Sequence, residues 1–71
     1  MAERLTEQKE RIAKRMGRDI FNKVEKILIM HKNADSDSEA IYESLKPIMG
    51  KNRELKELCF SLEMIIFKEL D

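Results

Sequence analysis

Residues that could do chemistry are few in this chain, and most of them gather in one stretch. His31, the single histidine, is followed closely by Asp35-Ser36-Asp37-Ser38-Glu39, three acids alternating with two hydroxyls. Alternating carboxylates can present oxygens to a hard cation, as at the start of a calcium loop. Counting from Asp35, however, the sixth position is Ala40, where the sharp turn needs glycine, and the twelfth is Lys46, where a bidentate glutamate should sit. Calcium binding is therefore not expected. Ser36 has two readings. With Glu39 three residues on, its hydroxyl fits a capping box that starts a helix. As a serine followed by acids in an exposed loop, it is also a candidate phosphorylation site, where phosphate meets a favourable helix N-terminus and unfavourable acidic neighbours.

His31 has no second histidine, and with Cys59 as the only cysteine no Cys/His metal cage can be assembled. No metal and no cofactor is expected. Ser36 and Ser38 are the nearest nucleophiles, and neither has an evident oxyanion pocket or orienting group, so no catalytic residue is assigned. His31 is expected to cap the end of its helix by bonding the last carbonyls. Cys59 lies among apolar neighbours and is expected to act as a small hydrophobe. Lys56, three residues before it, is the one nearby cation that would favour a thiolate.

The elements that must position these residues are helical. Glycine and proline are scarce and no stretch alternates with the two-residue period of a strand. Residues 1–15 read as a charged helical leader, because between Glu3 and Met16 only Leu5, Ile12, Ala13 and Met16 can be buried, and it is expected to extend the next helix or to fray. Residues 16–71 read as one compact helical domain. A helix from about Arg18 to Lys32 places Ile20, Phe21, Val24, Ile27, Leu28 and His31 in one arc. The loop Asn33 to Asp37 stops it, and the next helix carries Ile41, Leu45 and Ile48 flanked by Tyr42 and Met49. Pro47 is expected to end or bend that helix, since it removes a donor and disfavours helical geometry at Lys46. Gly50 and Asn52 supply a turn and an N-cap for the last helix. The expected fold is all-α, a small three- to four-helix bundle completed by oligomerisation or by a partner helix.

That last clause follows from size and from the final helix. Seventy-one residues bury only about 60% of the surface the unfolded chain exposes, and a single cysteine excludes an internal disulfide. Along the final helix, Leu55, Leu58, Cys59, Leu62, Ile65, Ile66 and Leu70 fall in one arc, while Phe60, Met64 and Phe67 form a second stripe roughly opposite. A bundle of this size has fewer inward faces than the sequence has apolar stripes. Ile29, Met30, Phe60, Met64 and Phe67 are therefore the candidate partner-binding residues, facing either a second copy or a different protein. Met49 is likewise dispensable for a minimal core.

The net charge is zero, so no global field favours nucleic acid or membrane. Locally, residues 1–32 hold nine Lys/Arg against five Asp/Glu, a difference of +4, and residues 33–45 hold four acids and no base. No apolar run near the start suggests a secretory signal, and none approaches the roughly 20 residues of a membrane span. An intracellular, cytoplasmic location is expected.

From Met16 to Lys68 the chain resembles the C-terminal helical tail of ciliary NIMA-related kinases. Gly17 and then Phe21 open a helix, Val24-Glu25-Lys26-Ile27 continues it, His31 closes it, and the acidic loop Asp35 to Glu39 follows. An aliphatic helix then ends at the turn residues Ile48-Met49-Gly50 and Asn52 before a last apolar helix. Pro47 departs from the tail pattern, which has a helix-compatible residue there. The chain has none of the kinase glycine loop, catalytic loop or metal-binding motifs. The resemblance implies a non-catalytic docking module for a cilia- and flagella-associated leucine-rich-repeat protein, with the parent kinase at basal bodies, centrosomes or the cilium. The alternative is a small helical nucleic-acid-binding regulator using Arg4, Lys9, Arg11, Lys14, Arg15 and Arg18. Nucleic acid is disfavoured as a partner by the interleaved acids Glu3, Glu7 and Glu10 and by the absence of a helix-turn-helix pairing.

Overall fold

The computed structural model describes residues 4–70. Residues 1–3 of the leader, Asp71, and the Leu70 side chain assigned above to the apolar arc lie outside that description. Four helices follow one another, α1 (Leu5–Met16), α2 (Arg18–Asn33), α3 (Ser38–Met49) and α4 (Arg53–Leu70), with no strand among the described residues. The chain is an all-α helical bundle.

Helices α2 and α4 each pack against all three others, while α1 and α3 flank them on opposite sides. The core lies on the α2–α4 seam. Val24 and Leu28 of α2, Leu45 of α3, and Cys59 and Leu62 of α4 are fully buried, with Phe21, Ile41 and Ile66 nearly so. These positions fall on the arcs that helical periodicity groups together.

Residues 5–16 are neither an extension of α2 nor a frayed end. Gly17 adopts φ 95°, ψ 139°, a backbone that breaks the helix and turns the chain back. That turn lays α1 against α4, where Ile12, Ala13 and Met16 join the core. Three buried residues in twelve are too few for a visible seam, but they suffice against a neighbour that is apolar on two sides. Lys9 adds a tie between three helices, reaching Glu25 on α2 and Glu69 on α4, each at 3.1 Å. Desolvation lowers the Lys9 pKa, but the two carboxylates outweigh it and hold the ammonium above its ordinary value.

Pro47 does not end α3, which runs on to Met49. It sits in the last turn with an exposed ring, and Met49 behind it is buried at 3% exposure, so packing holds the turn closed. Met49 is thus a core residue, and Ile48 takes the half-buried position beside it. Gly50, at φ 55°, closes the helix by donating its N–H to the Lys46 carbonyl at 2.9 Å. Asn52 caps α4, its Oδ1 accepting from the Leu55 N–H at 3.1 Å.

The cap of α3 is Asp37, not Ser36: its Oδ1 accepts from the Ala40 N–H at 2.8 Å. The register shifts by one because α2 ends in a Schellman motif. The Ser36 N–H donates to the His31 carbonyl and the Asp35 N–H to the Lys32 carbonyl, with Asp35 in the left-handed position at φ 55°. The loop is spent on closing α2, and the next acid in line opens α3.

Candidate functional site

The Schellman turn folds Ser36 back over His31. The imidazole does not reach the last carbonyls of α2; it bridges two hydroxyls, with Nδ1 2.8 Å from Ser36 Oγ and Nε2 2.7 Å from Ser44 Oγ on α3. In a neutral ring one nitrogen donates and the other accepts, and a hydroxyl can answer either. The result is a clasp that ties the end of α2, the loop and the middle of α3. A serine–histidine–serine row has the parts of an activated nucleophile, but none of the three side chains lines either groove described below. Among the described residues no cluster of His, Cys, Asp and Glu can hold a metal ion. His31→Ala is expected to cost about 1–2 kcal/mol, the worth of two ordinary hydrogen bonds, and urea unfolding of the variant against the parent chain measures it.

Ser36 is half-buried with its hydroxyl engaged by the imidazole. Cys59 is fully buried, and burial pushes its thiol up from 9.0 to about 11. It is a core hydrophobe with no thiolate character at neutral pH.

Among the described residues, the large apolar side chains left exposed are Ile29, Met30, Phe60 and Met64, at 37%, 59%, 39% and 67%. Four of the five candidate partner-binding residues are therefore at the surface. Phe67 is corrected: it is half-buried against the core, with the Lys32 ammonium 5.1 Å from its ring centroid. Lys32, near the end of α2, stands over the ring, a contact that the wheel of α4 alone does not reveal.

The four exposed residues do not share one face. Phe60 and Met64 are one turn apart on the outer side of α4. Phe60 stacks on Tyr42 of α3 with centroids 6.5 Å apart and planes at 29°. The Lys56 ammonium lies 5.5 Å from the Tyr42 ring and 5.9 Å from the Phe60 ring. Met64 opens onto a groove between α4 and α1, lined also by Leu5, Ser61, Ile65 and Lys68. Comparison with protein-family models, curated proteins and solved structures finds no match. What this surface does is therefore argued from its own chemistry. A stacked aromatic pair, a flexible methionine and lysines over rings form an adaptable apolar surface with cations at its edge. Between Phe60 and Phe67 on the helix, burial raises the Glu63 carboxyl above its ordinary value.

Met30 belongs elsewhere. It lies in a groove between α2 and α3 with Lys23, Lys26, Ile27 and Ile48. The sequence reading missed Tyr42, Ile48 and the two lysines as surface partners of these residues. Tyr42 alone had a signal, a polar-tipped aromatic on the flank of an aliphatic arc.

The basic residues of α1 and of the start of α2 are partly neutralised. Lys9 is held by Glu25 and Glu69, and Arg18 Nη2 donates to Glu10 Oε2 at 3.0 Å. At least two of the six basic residues considered for nucleic acid are thus committed to acids of the same chain. Among the described residues no helix is long and apolar enough to cross a membrane.

Proposed function

We propose that the chain is a non-catalytic protein-interaction module whose binding face is the outer side of α4 around Phe60 and Met64. One observation carries this reading: α4 fills the core with Leu55, Cys59, Leu62, Ile65 and Ile66 and still exposes Phe60 and Met64 one turn apart on its other side. Aromatic and methionine side chains are enriched at the centres of protein interfaces. The stacked Tyr42 gives the patch a preformed wall.

The resemblance of residues 16–68 to the tails of ciliary NIMA-related kinases supports a more specific form of the proposal. The partner is then a cilia- and flagella-associated leucine-rich-repeat protein, and the module holds its parent kinase at basal bodies, centrosomes or the cilium. A second copy of the chain is the competing occupant. Titration of the purified chain with that repeat protein, alongside sedimentation of the chain alone, separates the two. Saturable binding by a monomeric chain supports the docking module, whereas self-association without binding to the repeat protein overturns it.

A further inference from the structure

We infer that the α2–α3 groove is a second binding site, separate from the α4 face, and that it receives an acidic amphipathic helix of a protein partner. It encloses ≈ 320 Å³, and its walls present apolar atoms only. Ile27 and Ile48 form the half-buried floor, and Met30, at 59% exposure, forms a movable wall.

Charge selects the occupant. The charged residues lining the groove are Lys23 and Lys26, both exposed, whose methylene stems extend the apolar wall while their ammonium groups stand at its edge. A helix with an apolar stripe bordered by Asp and Glu satisfies the walls and both cations at once. A second copy supplies only a mixed one, in which Glu57 and Glu63 stand among lysines. The chain's own exposed stripe, Phe60 and Met64, carries Lys56 against one residue and Lys68 beside the other, so it would bring like charges to Lys23 and Lys26.

Length and rigidity agree with that occupant. Lys23 to Met30 covers eight residues, seven steps and so about 10 Å of helix axis, which matches two turns of a partner with anchors at i, i+3 or i+4, and i+7. The His31–Ser44 contact at 2.7 Å pins α2 to α3, so the groove is formed before anything binds.

The test uses the full chain labelled with ¹⁵N and two synthetic helices. Both carry leucine at i, i+3, i+4 and i+7, one with glutamate and the other with lysine at the remaining positions. The glutamate helix is expected to shift the amides of Lys23, Lys26, Ile27, Met30 and Ile48 saturably. The variant Lys23→Glu/Lys26→Glu, its fold confirmed by circular dichroism, should bind it at least ~10-fold more weakly. Equal response to the lysine helix, shifts centred on Phe60 and Met64, no shift at millimolar peptide, or groove shifts that grow with the chain's own concentration would each overturn the inference. The last result would assign the groove to a second copy. Because the lysine variant leaves α4 untouched, failure here is distinguishable from failure of the α4 proposal.

Discussion

Leu62→Ala is expected to bring the chain close to unfolding. Leu62 is fully buried on α4, the helix that meets all three others. Truncating a buried leucine costs the lost transfer free energy and a further amount for the cavity left behind, about 2–5 kcal/mol in total. A domain of this length has only about 4–11 kcal/mol of stability to lose. Complete burial of the side chain leaves the cavity with no solvent-exposed wall, which places the cost in the upper half of the range. Urea unfolding followed by helix circular dichroism is expected to show a midpoint shifted far below that of the parent chain with little change in slope. A loss under about 1 kcal/mol would mean that Leu62 is not at the centre of the core.

The second large effect is alkaline destabilisation through Cys59. Burial raises the folded thiol from 9.0 to about 11. Below pH 9 the thiol is neutral in both states, and the stabilisation is fully present. Between 9 and 11 the unfolded chain ionises while the folded chain does not, so stability falls as pH rises. The rise from 9.0 to about 11 corresponds to about 2–3 kcal/mol across that window. Lys9 also has a raised folded value, but the ordinary value it departs from is 10.5, so its contribution is lost later. Stability measured from pH 7 to 11 is expected to decline from pH 9, and Cys59→Ala, whatever its own cavity cost, should abolish the decline below about pH 10. An unchanged decline in the alanine variant would remove the thiol as its cause.

Helical periodicity was enough to find the core. Val24, Leu28, Leu45 and Leu62 lie at the centres of their arcs because the 3.6-residue repeat puts them there. The turn at Gly50 and the cap at Asn52 were legible because each uses a residue with a specific backbone or capping role, whereas the break at Gly17 was not. What misled were competitions that a single helix cannot decide. Ser36 and Asp37 both fit an N-cap, and the Schellman closure of α2 decides between them. Pro47 is a breaker in isolation but is tolerated where packing at Met49 outweighs one missing donor. α1 looked too weakly apolar to be a bundle helix because its periodicity had to be judged without α4 beside it.

The candidate surface was legible in residue types and not in their grouping. Phe60 and Met64 stood out as apolar residues that the core arc does not use. Phe67, on the same stripe, has Lys32 of α2 over its ring, and Met30 belongs with Ile48 across a helix pair, in both cases through contacts distant in sequence. The His31 clasp depends on Ser44, thirteen residues away, and no local motif announces it.

The most direct test of the α4 face is the double variant Phe60→Asp/Met64→Asp, read by thermal melting and by calorimetric titration with the leucine-rich-repeat protein. Phe67 is left intact because its ring packs against the core. The expected result is a melting temperature close to that of the parent chain together with binding weakened roughly 100-fold. A collapsed melt would place the two side chains in the core. No binding by the intact chain, or undiminished binding by the folded variant, would contradict the assignment of this face as the docking surface.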